Sequence, residues 1–158
     1  MRFDAEGNIW VVDDSGCTVL KMDRKGRIRM VLGRWRTTGE TQPVQSPTDV
    51  AFAPSGDIYV TDGYGNSRVV KYSKDGKFIT AWGKKGAGQS EFVIPHAVAV
   101  DKQGRVYIGD RENRRIQIFD SNGKFLCEWK HVGSPWGLYL TPDQSLYMCD
   151  GYNARVLK

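Results

Sequence analysis

Three side chains able to do chemistry stand where the sequence almost repeats itself. The phenol of Tyr64 lies in "TDGYGNSRVV" (61–70), the guanidinium of Arg111 in "GDRENRRIQI" (109–118), and the imidazole of His96 in "IPHAVAV" (94–100). A phenol takes a proton from a substrate hydroxyl once its pKa is drawn down from its usual ~10. A guanidinium holds a carboxylate or developing negative charge with a planar fork of donors. An imidazole can ligate zinc. Each group also has a plainer reading. Tyr64 could be a loop aromatic covering a sheet edge, and Arg111 half of a surface salt bridge. His96 could be a hydrogen-bonded histidine lining a channel, because it is one of two histidines and a catalytic zinc takes about three protein ligands.

A third copy, "CDGYNARVLK" (149–158), separates two layers in these turns. Asp62, Asn66 and Arg68 recur as Asp110, Asn113 and Arg115, and as Asp150, Asn153 and Arg155. Recurrence argues for architecture, with Asp and Asn capping turn backbone and the arginine bracing neighbouring units. Tyr64 and Arg111 belong to the varying layer. Tyr152 occupies the same kind of turn as Tyr64 and reads as repeat architecture. The turn of Tyr64 is one residue longer than the other two, which predicts that Tyr64 is pushed further over the face.

The elements that must hold these turns follow one pattern of glycine, strand, aspartate: "GNIWVVDD" (7–14), "GDIYVTDG" (56–63), "GRVYIGDR" (104–111) and "QSLYMCDG" (144–151). The aspartates Asp13, Asp62, Asp110 and Asp150 are 49, 48 and 40 residues apart, a period typical of propeller blades. A second strand follows ("RVVKY", "RIQIF"), then a turn with glycine ("SKDG", "DSNG"), then a third strand ending near tryptophan ("KFITAWG", "KFLCEWK"). A proline opens the next unit and its most apolar strand, nearest the axis: "SPTDVAFA", "IPHAVAVD", "SPWGLYLT". The slots after those prolines hold Thr48, His96 and Trp136. No window shows sustained helical periodicity with caps. The fold class predicted is all-β, a propeller of four-stranded antiparallel blades. The units run roughly 1–45, 46–93, 94–133 and 134–158, the first and last incomplete, in one domain or part of one.

Net charge is +5, and the stretch 21–36 holds seven Lys or Arg against one Asp. Its first reading is a solvated hairpin face, since Arg27 and Arg29 point the same way on a strand. An RNA-binding edge ranks last, because Trp35 is its only aromatic for base stacking. Three cysteines, Cys17, Cys127 and Cys149, lie on separate repeats without a CxxC pair, which predicts buried thiols and no disulfide framework. No apolar run approaches the ~18 residues of a membrane span, and no signal segment opens the chain.

The repeat resembles the NHL type. "SPTDVAFAPSGDIYVTDGYGNSRVVKYSKDGKFITAWG", followed by "FVIPHAVAV", "GDRENRRIQIF" and "KHVGS", resembles one NHL family in particular, the peptidyl-α-hydroxyglycine α-amidating lyases and their bacterial relatives. The resemblance implies a six-bladed ring that cleaves a C–N bond to give a peptide amide and glyoxylate. Tyr64 matches that family's catalytic tyrosine, Arg111 an arginine that stabilises charge or binds the substrate carboxylate, and His96 one of three zinc-binding histidines. The resemblance also implies calcium in a full-length member. Gly65, Tyr107 and Ile118 stand where animal members carry cysteines, which favours a bacterial relative. Against that expectation stand two others. The chain could be a non-catalytic scaffold whose loop face binds a protein or ligand. It could also associate with copies of itself to close a ring.

Overall fold

The computed structural model describes residues 1–33 and 44–158. Arg34, Trp35 and Arg36 of the basic stretch lie outside the described residues. Four antiparallel sheets follow one another along the chain. Blade 1 contains β1 (Arg2–Phe3), β2 (Ile9–Asp13), β3 (Thr18–Met22) and β4 (Ile28–Leu32). Blade 2 contains β5 (Asp49–Phe52), β6 (Ile58–Asp62), β7 (Arg68–Tyr72) and β8 (Phe78–Trp82). The next linker forms a small parallel pair, β9 (Lys84–Lys85) and β10 (Glu91–Phe92). Blade 3 contains β11 (Pro95–Val100), β12 (Val106–Asp110), β13 (Arg115–Phe119) and β14 (Phe125–Lys130). Blade 4 has three strands, β15 (Pro135–Leu140), β16 (Leu146–Asp150) and β17 (Arg155–Leu157).

Strand alternation turns this order into an arc of packed blades. Trp10, Tyr59 and Tyr107 hold one repeat position, and each packs on the blade that follows; Val60, Ile108 and Met148, one residue further on, pack on the blade that precedes. Successive side chains on a strand face opposite ways, so one strand fills two interfaces. That is why β6, β12 and β13 are buried at every residue while the inner strands are only partly so. The sequence makes the inner strand the most apolar one, yet it is not the most buried. Instead that strand lines a central cavity of about 500 Å³ shared by β1, β5, β11 and β15. Arg2 reaches into it, binding Asp49 at 2.9 Å through Nε and the Leu138 carbonyl oxygen at 2.9 Å through Nη2.

The recurring Asp, Asn and Arg form one device. Asp110 Oδ2 accepts from Asn113 Nδ2 at 2.8 Å and from Arg115 Nε at 2.8 Å; Asp62 and Asp150 do the same with Asn66 and Arg68, and with Asn153 and Arg155. The other oxygen binds the linker that enters the blade: Ser46 N on Asp62 at 2.8 Å, Val93 N on Asp110 at 2.8 Å, Ser134 N on Asp150 at 2.9 Å. The sequence expects Asp62, Asp110 and Asp150 to cap their own turns, but entering-linker amides take that oxygen instead. Asp13, outside that expectation, accepts from Gly16 N of its own turn at 2.8 Å. The device therefore locks the end of each second strand to the start of the inner strand beside it.

Candidate functional site

That lock decides where the varying residues fall. Beyond each anchoring aspartate, one backbone N–H reaches the carbonyl just before the opening proline: Tyr64 N to Ser46 O at 3.3 Å, Arg111 N to Ile94 O at 3.2 Å, Gly151 N to Ser134 O at 3.2 Å. Tyr64, Arg111 and Gly151 are thus true equivalents. The extra residue of the longer turn is taken up at Gly63, ahead of Tyr64. A Cβ at Gly63 would overlap the Pro95 carbonyl oxygen, so only glycine lets this turn sit against the start of β11, where His96 stands. By the same register Tyr152 matches Glu112, not Tyr64.

The three residues singled out by the sequence meet here. The Tyr64 phenol oxygen lies 3.0 Å from His96 Nε2, and Arg111 Nη1 donates to it at 3.2 Å. His96 Nδ1 lies 2.7 Å from the Trp136 carbonyl oxygen. A carbonyl only accepts, so Nδ1 carries the proton and Nε2 presents its lone pair to the Tyr64 hydroxyl. Burial pulls the His96 imidazole below its ordinary 6.5, the Trp136 bond opposes this, and the nearby Arg111 charge adds to it. The ring is therefore neutral at neutral pH and acts as an acceptor.

Arg111 is held from several sides. Its guanidinium lies over the Trp136 ring at 5.0 Å and the Tyr64 ring at 5.5 Å. Its Nε donates to Glu112 Oε1 at 2.7 Å. Burial alone would lower its pKa, but the bonds to Glu112 and Tyr64 outweigh that and raise it, so the charge persists. Tyr152 in turn donates to Glu112 at 3.2 Å. Blade 4 thus buttresses the arginine through Trp136 and Tyr152, a role that sequence reading missed. The usable signal was that Trp136 and His96 share one repeat slot. Thr48, the third such residue, donates to the Pro95 carbonyl at 2.7 Å, stitching blade 2 to blade 3 just as His96 stitches blade 3 to blade 4. Asp14 accepts from the Ser46 hydroxyl and stays apart from the cluster.

A metal has one clear donor here, His96 Nε2, beside the Tyr64 oxygen. Among the described residues no group of three His, Cys, Asp or Glu converges, so these residues alone do not make a zinc or calcium centre. One other expectation changes. Cys127 and Cys149 are exposed and Cys17 is half-buried, all as free thiols. None belongs to the buried clusters between blades; Cys127 lies on β14, Cys149 on β16 and Cys17 in a turn. Arg27 and Arg29 both bind Asp23, each at 2.8 Å, and the Asp23 carboxyl is pulled down to about 2, chiefly by the Arg27 backbone N–H. That supports the solvated hairpin over a polyanion edge. No helix among the described residues is long and apolar enough to cross a membrane.

Known proteins resemble this chain in sequence and in fold. The family model DUF5128, described as a 6-bladed beta-propeller, matches residues 37–155. The peptidylglycine alpha-amidating monooxygenase of Rattus norvegicus is 41% identical over 143 residues, covering 84% of this chain and 14% of that protein. The NHL repeat-containing protein 3 of Homo sapiens is 36% identical over 151 residues, 87% of this chain and 44% of that one. The peptidyl-alpha-hydroxyglycine alpha-amidating lyase 1 of Drosophila melanogaster is 36% identical over 142 residues, 82% of this chain and 26% of that one. Among solved structures, a streptogramin B lyase superposes with a TM-score of 0.72 at 18% identity over 98% of this chain and 48% of that one, a likeness of fold alone. The chain spans less than half the length of each of these proteins.

Proposed function

This chain belongs to the 6-bladed β-propeller family, and from that premise we propose that its loop face belongs to a carbon–nitrogen lyase acting on peptides that end in α-hydroxyglycine. One observation carries the reading: a single phenol oxygen, Tyr64, faces both a fixed cation and a neutral imidazole acceptor. The matches to an α-amidating lyase and an α-amidating monooxygenase support it.

The chemistry is a balanced elimination. The Tyr64 hydroxyl passes its proton to His96 Nε2 as its oxygen takes the proton of the substrate hydroxyl. The substrate C–O bond becomes a carbonyl and the C–N bond breaks. The proton on His96 returns to the Tyr64 oxygen, which gives the one it carries to the departing nitrogen, leaving an amide and glyoxylate. Arg111 Nη1 would hold the partial negative charge on the Tyr64 oxygen as its proton leaves, and a preorganised donor of that kind needs no reorganisation as the charge forms. Trp136 and Glu112 keep it aimed. A zinc ion, where bound, would be held in part by His96 Nε2 and would supply Lewis acidity. It would then compete with the Tyr64 hydroxyl for that lone pair.

The test uses the longest natural form of the chain, a peptide ending in α-hydroxyglycine, and an assay for glyoxylate. Tyr64→Phe is expected to lower the rate by about 10²–10⁴-fold. Elemental analysis is expected to find near-stoichiometric zinc that is lost on His96→Ala. If that form releases no glyoxylate and holds no zinc, the lyase reading fails, and what stands is a face that binds a protein or ligand without turnover.

A further inference from the structure

A hollow of about 550 Å³ opens between blades 3 and 4, separate from the Tyr64 cluster. Asn113, Arg114, Arg115, Lys130, His131 and Arg155 line it, together with Ala87 and Gly133, and no Asp or Glu is among the lining residues. We propose that this hollow binds a tetrahedral oxyanion, the phosphate or sulfate group of an ester. The proposal does not depend on the lyase reading.

The case rests on what the repeat does with one arginine in two places. In blade 3 the guanidinium of Arg115 is buried and all its donors are spent. Nε binds Asp110, Nη1 binds Ala87 O at 2.9 Å and Glu128 at 3.0 Å, and Nη2 binds Gly88 O and Glu91 O at 2.8 Å each. Those carbonyls come from the long linker of β9 and β10. Its equivalent, Arg155, keeps only the bond from Nε to Asp150 at 3.0 Å. The linker into blade 4 is residues 131–134, too short to form such a carbonyl cage. Among the described residues the Arg155 Nη atoms therefore have no hydrogen-bond partner, and the side chain is 53% exposed.

The other cations converge on the same opening. Arg114 is exposed, with φ +53°, and its guanidinium rests over the Tyr152 ring at 6.0 Å. Lys130 is 62% exposed and shares Glu128 with Arg115. His131, at φ +61°, adds a ring. Among the described residues neither Arg114 nor His131 has an acidic partner. A planar fork with open Nη donors fits two oxygens of a tetrahedral group, and cations from three elements suit a doubly charged one. A lone carboxylate would use only part of this charge.

The experiment is a titration of the uniformly ¹⁵N-labelled 158-residue protein with inorganic phosphate and, separately, with sulfate. Ionic strength is held constant and acetate serves as control. Saturable shifts are expected at residues 113–115 and 130–133. Arg155→Gln is expected to weaken binding about tenfold, the loss of one charge-assisted hydrogen bond. Arg114→Gln, at an exposed residue that does not bond Asp150, is expected to weaken it as well. Tighter phosphate than sulfate assigns the ester as phosphate, and the reverse assigns it as sulfate. Equal shifts with acetate, shifts scattered over the surface, or affinity unchanged in both variants would overturn the proposal.

Discussion

At the scale of single residues, the fold fixes which nitrogen of His96 is free. Its Nδ1 is spent on the Trp136 carbonyl, so protonation must occur at Nε2 and must break the bond from Tyr64. The sign follows from linkage. Burial sets the folded pKa below 6.5, so between that value and about 6.5 the unfolded chain binds more protons than the folded one. Stability from this residue is present above about 6.5 and is lost as pH falls through the folded pKa. Urea unfolding across a pH series is therefore expected to show a loss on acidification below about pH 6.5 that His96→Gln reduces. Equal slopes in both proteins would refute it. Tyr64, Arg111 and His96 were legible in the sequence because they break a repeat. Glu112 and Trp136 were harder to read, since their roles lie in a carboxylate and a carbonyl aimed across a blade boundary. No periodicity encodes that direction.

At the scale of elements, the same lock has unequal worth from blade to blade. Arg115 and Asp110 are both buried, so removing one strands the other in a low-dielectric site. Arg155 remains half in water although its aspartate is buried. Arg115→Ala is expected to cost about 3–5 kcal/mol, and Arg155→Ala no more than about 1 kcal/mol. Chemical denaturation measures both, and equal costs would mean that the linker cage contributes nothing. The turns carry a second shared feature. Cys17, Ser67, Arg114 and Ala154, the residues just before β3, β7, β13 and β17, have φ between 48° and 55°. A left-handed residue with a Cβ costs roughly 1–2 kcal/mol. Ala154→Gly relieves that strain at some entropic cost and is expected to raise stability by about 0.5 kcal/mol; a lower melting temperature would contradict it. Strands and hairpin glycines were readable from local pattern. The extra residue in the Tyr64 turn was readable too, but its placement at Gly63 was not, because that depends on which N–H reaches the carbonyl before the proline.

At the scale of the whole molecule, the arc has two flanks built like its interior. Trp10, Tyr59 and Tyr107 each pack on a following blade; Tyr147 holds that position in blade 4 and faces outward beside exposed Tyr139 and Val156. Val60, Ile108 and Met148 each pack on a preceding blade; Val11 holds that position in blade 1, on the face that carries Ile9, Leu20, Met22 and exposed Phe3, Ile28 and Val31. One flank is therefore shaped by the repeat to receive the other. Contiguous apolar surface of this kind marks an interaction site, and head-to-tail contact between unlike flanks builds rings or open chains rather than closed pairs. The 158-residue chain is accordingly expected to self-associate as its concentration rises, with Tyr139→Lys and Val31→Lys each weakening the effect. The contact is largely apolar, so added salt should not dissolve it, unlike binding in the cationic hollow. Light scattering coupled to size-exclusion chromatography gives the mass directly. A monodisperse species of 17.8 kDa at every concentration would show that the flanks do not meet.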